Sequence, residues 1–161
     1  MYKKVLYAAG GVVLIGVLWF AYYAISPLFI VVRVDEEAPV ASGVAPEVMV
    51  PEAAASQSQP PAAEVVGTVG HPASGTARIV KADGAAYLRY ENLKTINGPD
   101  LYVYLAKDKD AHEFVSLGKL RATEGNVNYE IPTGIDISEY RYALIWCKQF
   151  GVLFNSADLS S

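Results

Sequence analysis

The 161-residue chain has one cysteine, Cys147. A single thiol excludes an intrachain disulfide and leaves only a bridge to another molecule. Histidines are nearly as scarce, with His71 and His112 the only two. Neither belongs to an H-E-x-x-H pair or a C-x-x-C-H haem-attachment motif. There is no G-x-S-x-G elbow and no phosphate-cradling glycine loop. The usual frames of hydrolysis are therefore missing. So is a basic excess: the formal net charge is −4, which speaks against nucleic acid as a partner.

Charge is missing in one more way. Residues 5–32, "VLYAAGGVVLIGVLWFAYYAISPLFIVV", carry none. About 20 apolar residues suffice for a helix to cross a bilayer. Val5 to Ser26 would cover roughly 33 Å as a helix, and Pro27 would end or kink it. A cleaved signal peptide normally has an apolar region about half as long, so an uncleaved signal-anchor is expected. Lys3 and Lys4 precede the run, and Arg33 alone closely follows. The positive-inside rule then leaves residues 1–4 as a cytoplasmic tip and places the rest of the chain outside the cytoplasm. Trp19, Tyr22 and Tyr23 would sit at headgroup level.

Residues 33–66 are rich in proline and alanine, acidic, and without Lys or Arg after Arg33. Such a composition buries too little apolar surface to offset its ordering entropy. A disordered linker is expected, holding a domain clear of the membrane.

Residues 67–161 read differently. Their apolar pattern has period two. "LYVYLAK" alternates Leu101, Val103 and Leu105 against Tyr102 and Tyr104. "NVNYEIP" alternates Val127, Tyr129 and Ile131 against polar neighbours. "TARIVKA" and "AYLRYEN" flank Asp83-Gly84, a strong hairpin sequence. Further turns are expected at "NGPD" (97–100) and "EGN" (124–126). No stretch has an amphipathic helix pattern. The expected fold is all-β, an antiparallel sandwich or barrel-like domain.

"RYALIWCKQFGVLF" (141–154) reads as a central strand, apolar on both faces. Strand alternation puts Arg141, Ala143, Ile145 and Cys147 on one face, and Tyr142, Leu144, Trp146 and Lys148 on the other. Cys147 is expected to face inward. A turn at Gly151 would bring Phe150 and Phe154 near the thiol. A redox thiol needs a positive neighbour and access. Lys148 points to the other face, and Arg141 lies about 20 Å along the strand. A buried, inert cysteine is the competing reading.

Other constellations are weaker. His71 and His112 could in principle join Cys147 as axial ligands of a haem, but their spacing does not require it. Asp108, Asp110 and Glu113 resemble part of a calcium loop without its glycine or its later bidentate glutamate. No metal site is expected. The many tyrosines of the domain, Tyr102 and Tyr104 among them, suit either sheet packing or a protein interface.

Three ordered blocks, "NLKTINGPDLYVYLA", "LGKLRATEGNVNYEIPTGID" and "YALIWCKQFGVLFNSADL", resemble the DM-thirteen domain, described as an electron-transfer domain. The resemblance covers about residues 76–159. It implies a β-rich extracytoplasmic module whose motif cysteine is the redox centre, either as a bare thiol or as a ligand to a prosthetic group such as haem. That cysteine maps onto Cys147, with Trp146, Lys148 and Phe150 matching around it. Trp146 and Phe150 would then control solvent access. Two functions follow as expectations: a membrane-anchored redox domain meeting a protein or redox partner outside the cytoplasm, or a non-enzymatic binding or structural module with an inert Cys147.

Overall fold

The computed structural model describes residues 2–26, 30–40 and 61–160. Helix α1 spans Tyr2–Ile25. Among its described side chains Val12, Leu14, Ile15, Leu18 and Trp19 are all exposed. Part of the expected 5–32 span lies outside the described residues, and among the described residues no helix is long and apolar enough to cross a membrane.

The rest of the described chain is almost entirely strand, in keeping with the period-two pattern. The strands are β1 (Arg33–Asp35), β2 (Ala63–Gly67), β3 (Ala73–Ala82), β4 (Ala85–Thr95), β5 (Leu101–Ala106), β6 (Phe114–Lys119), β7 (Glu124–Ile131), β8 (Tyr142–Cys147) and β9 (Val152–Asp158). They form one sheet in the order β1-β7-β4-β3-β2-β9-β8-β5-β6. The sheet curls until β6 comes back near β7. Every described pairing is antiparallel except β1 with β7.

Local chemistry explains the best-defined hairpin. Asp83 and Gly84 both have positive φ, 51° and 78°. That is the type I′ geometry whose twist matches two antiparallel strands. The inside of the curl collects the alternating apolar residues. Leu88, Tyr90, Val103, Leu105, Val127 and Ile145 are all fully buried there. Each such side chain contributes about 1.5–3 kcal/mol on burial. A smaller cluster lies on the outer face, where Tyr104 and Leu144 are buried among Tyr102, Tyr142, Trp146 and Leu153. Tyr104 stacks on Phe114 at 4.1 Å. Lys119 and Lys148 lie over the Tyr102 ring at 5.8 and 5.2 Å. These outer tyrosines thus belong to the sheet's own packing.

Two expectations are corrected. First, the linker expected over 33–66 is shorter at both ends, because Arg33–Asp35 and Ala63–Gly67 are strands. Residues 41–60 lie outside the described residues. β1 pairs with β7 from Arg33↔Glu124 to Asp35↔Asn126. The Val32 carbonyl accepts from the Thr123 and Glu124 amides, and Glu36 N donates to Asn126 O. The β7 edge carries backbone groups that need partners, and this strap supplies them. Residues 41–60 therefore join two places on the same domain. They do not set its distance from α1.

Second, "EGN" at 124–126 is the start of β7, not a turn. Gly125 sits in the sheet at φ 106°. A Cβ there would overlap the Val34 carbonyl. The glycine makes room for the strap.

Candidate functional site

The strand directions divide the connections between two ends of the curl. One end carries the β2–β3 loop (68–72), the β4–β5 loop (96–100), the β6–β7 loop (120–123) and the β8–β9 turn (148–151). Cys147 is the last residue of β8 at this end.

Cys147 is fully buried in the inner core. It pairs with Leu101 of β5 and Val152 of β9. Its Sγ–H donates to the Pro99 carbonyl oxygen at 3.1 Å. The 96–100 loop is fastened over it at several points. Lys148 N donates to Asp100 O at 3.1 Å. Gly98 N donates to the Asn97 side-chain oxygen at 2.9 Å, and Asn97 Nδ2 donates to Ile30 O at 3.1 Å. Beside them lies the buried Phe154 ring. A Cβ on Gly98 would stand 2.8 Å from Phe154 Cζ, so only glycine lets the loop close on the ring.

His71 stacks on the Phe154 ring, with centroids 3.9 Å apart. Its Nδ1 lies 2.9 Å from Thr68 Oγ1. The Thr68 hydroxyl has one proton, directed at the Leu153 and Phe154 carbonyls at 2.9 and 3.1 Å. With the hydroxyl proton so directed, the tautomer that satisfies all three contacts is the one in which Nδ1–H donates to Thr68 Oγ1. Next to this layer Asn155 is fully buried and donates from Nδ2 to Thr95 Oγ1 at 3.0 Å.

The structure does not gather the residues that the family motif matches around the thiol, and it keeps Trp146 and Lys148 on the opposite face as strand alternation predicts. Trp146 is half-buried in the outer cluster, on the opposite face from Cys147. Lys148 is exposed above Tyr102. Phe150 stands 49% exposed in the β8–β9 turn, so it does not shield the sulfur. The Pro99 carbonyl caps it instead. Arg141 lies at the far end and pairs with Asp158 at 2.7 Å. Phe154 does share the core with Cys147. Pro99 gave no cue in the sequence, because its part comes from a backbone carbonyl of a loop 48 residues away.

The histidines do not complete a ligand set. His71 is committed to Thr68 and stacked on Phe154. His112 is exposed at the far end of the curl, 3.3 Å from Asp108 Oδ1. Asp108, Asp110 and His112 bring ligand atoms within 4.8 Å of one another. Glu113 is not in that group and pairs with Lys107 at 2.9 Å. A haem does not fit around Cys147. The sulfur is enclosed by close-packed core and bonded to Pro99, whereas cofactor sites are open clefts of several hundred cubic ångströms. None of the three described clefts is lined by Cys147 or His71.

A buried arginine network was also missed. Arg89 is 5% exposed. It donates to Glu91 Oε1 at 2.8 Å, Asn128 Oδ1 at 2.8 Å and Glu36 O at 3.1 Å. Glu36 accepts from Asn128 N at 2.8 Å and pairs with Arg121 at 2.9 Å. Burial pushes the Glu91 carboxyl up, but the Arg89 and Arg78 guanidiniums outweigh it and hold it below its ordinary value. This network pins the strap to the sheet. Its members come from four separated segments, so no local motif announces it.

The fold and this end define a class: an all-β domain with one thiol sealed beneath a loop. A family model described as electron transfer DM13 matches residues 66–159. That is more than half of the chain, and the chain belongs to this family. No curated protein and no solved structure matches it.

Proposed function

We propose that this chain is a membrane-anchored redox domain lying outside the cytoplasm, with Cys147 as its centre under a movable cover. The observation that carries this reading is the Cys147–Pro99 hydrogen bond inside the family match. It ties the only thiol to one loop carbonyl, so displacing that loop is what frees the sulfur. One thiol can pass electrons by exchange with a partner's disulfide. Its thiolate bonds to one partner sulfur, the other partner sulfur leaves as a thiolate, and the Cys147 proton goes to solvent. The anchor is supported by the uncharged run at 5–32, by Lys3 and Lys4 before it, and by the exposed apolar side chains of α1.

A second reading is favoured by the complete burial of Cys147. In it the cysteine is a small core residue, and the domain is a binding or structural module at the cell surface.

Alkylation of the native full-length chain separates the two. Under the redox reading, a small alkylating reagent modifies Cys147 faster than the whole domain unfolds, because only the loop must open. Labelling that merely tracks global unfolding, across a denaturant series, would sink it.

A further inference from the structure

We infer that the Cys147 end of the β domain faces the bilayer that α1 enters, with Val69 and Phe150 seated among the lipid headgroups. The inference rests on the anchor reading above and adds an orientation and a contact surface.

Chain geometry sets the distance. α1 ends at Ile25, and Ile30 is already held by Asn97, in the loop over Cys147. From Ser26 to Ile30 a fully extended chain covers at most about 14 Å. Two residues beyond Ile30, Val32 is fixed to Thr123 at the same end, its amide donating to Thr123 Oγ1 at 2.8 Å. The Tyr23 hydroxyl, near the end of α1, donates to Gln149 of the β8–β9 turn at 3.0 Å. A domain strapped this closely cannot swing its other end towards the membrane.

The surface chemistry agrees. Val69 is fully exposed at the tip of the β2–β3 loop, and Phe150 is 49% exposed at the tip of the β8–β9 turn. Both stand at the Cys147 end. Lys94 and Lys148 are there too, able to meet anionic headgroups, with Lys119 beside them paired to Asp100 at 3.3 Å. The loops of the opposite end carry six acids, Asp83, Asp108, Asp110, Glu113, Asp136 and Glu139, against Lys107, Lys109 and Arg141. Lys107 pairs with Glu113 and Glu139, and the net charge left there is negative, which anionic lipid repels. In this orientation the loop over Cys147 meets partners that lie in or on the membrane before it meets freely diffusing ones.

The test uses the full chain in vesicles of phosphatidylcholine and phosphatidylglycerol containing a headgroup-spin-labelled lipid. On a Cys147→Ala background, single cysteines are placed at Val69→Cys, Phe150→Cys and, at the far end, Thr133→Cys. Each is labelled with a fluorophore. Quenching severalfold stronger at positions 69 and 150 than at 133 is expected. Equal quenching, or stronger quenching at 133, overturns the inference. Repeating the series on Cys147→Ser guards against a packing defect in one background. Alkaline carbonate extraction reports separately on the anchor. A chain that washes off the vesicles defeats the anchor reading and this inference together. A chain that stays bound while 69 and 150 remain unquenched defeats this inference alone.

Discussion

Cys147 and Pro99 are 48 residues apart, yet the thiol of one donates to the carbonyl of the other at 3.1 Å. The bond joins the end of a central strand to the loop that covers it. Under the redox reading, access to the sulfur is a property of that loop.

Asn97 fastens that loop to Ile30. Asn97→Ala is expected to raise the alkylation rate of native Cys147 severalfold while lowering global stability by about 1 kcal/mol or less. The two are measured by timed labelling and by denaturant unfolding. An unchanged ratio of labelling rate to unfolding rate would show that the loop does not gate the thiol.

Cys147→Ala removes one sulfur from a packed core and should destabilise by about 1 kcal/mol. The midpoint of urea unfolding should fall with an unchanged slope. Under the redox reading, exchange with a model disulfide should disappear altogether in this variant.

Tyr90 is fully buried, and its hydroxyl has no hydrogen-bond partner among the described residues. Burial pushes its ionisation far above the ordinary value of 10.0, so the phenol stays neutral. Tyr90→Phe should leave stability unchanged or raise it by about 1 kcal/mol, since it removes an unsatisfied polar group. Tyr129 packs edge-on against it at 6.2 Å, but its hydroxyl accepts from Arg121 N at 2.9 Å. Tyr129→Phe should therefore lose about 1 kcal/mol. The reverse order of the two variants would show that the Tyr90 hydroxyl is satisfied.

Arg89→Met leaves Glu91 without its most buried partner and frees the strap at Glu36. A loss of about 3 kcal/mol or more is expected. Gly125→Ala attacks the same junction through backbone strain and overlap with Val34, for about 1–3 kcal/mol. In both variants limited proteolysis should cut within residues 30–40 before it cuts the sheet. Wild-type cleavage kinetics in that segment would count against the strap as an integral strand.

Acid should destabilise the domain. Glu91 titrates below its ordinary value of 4.5 because Arg89 and Arg78 prevail over burial. Its stabilising contribution is complete above the unfolded value and is lost as pH falls through the lower folded one. Arg141 lowers Asp158 in the same way, and Arg33 lowers Glu124. In these last two pairs the arginine is exposed, unlike the buried Arg89, so salt should weaken their share. The thermal midpoint should begin to fall just below pH 4.5, and added salt should leave the Glu91 part in place. A midpoint flat down to pH 3 would contradict the role given to Glu91.

How much was legible in the sequence varied by element. Alternation marked β5 and β7, because a half-buried strand shows its two faces in its own residues. Asp83-Gly84 marked the β3–β4 hairpin, because two adjacent residues supply the whole backbone geometry. Strand parity also gave the inward face of Cys147. β1 stayed hidden: three residues carry no period, and its partner lies about 90 positions away. The "EGN" stretch misled because a glycine with positive φ serves a bulged strand as readily as a turn. The family motif groups Trp146 and Phe150 with Cys147, and the expected turn at Gly151 adds to it for Phe150. A strand sends neighbouring side chains to opposite faces, and the hairpin turn carries Phe150 out to solvent.

Sequence alone determined the uncharged segment at 5–32, the β class of the remainder, the family, and the single thiol, since these depend on composition, short-range pattern and motif. Only the tertiary structure decided that Pro99 covers Cys147, that Arg89 and Gly125 admit the strap, and that the strap holds the domain close to the end of α1. Those relations join residues tens of positions apart, and the burial and hydrogen bonding that create them exist only once the sheet has curled.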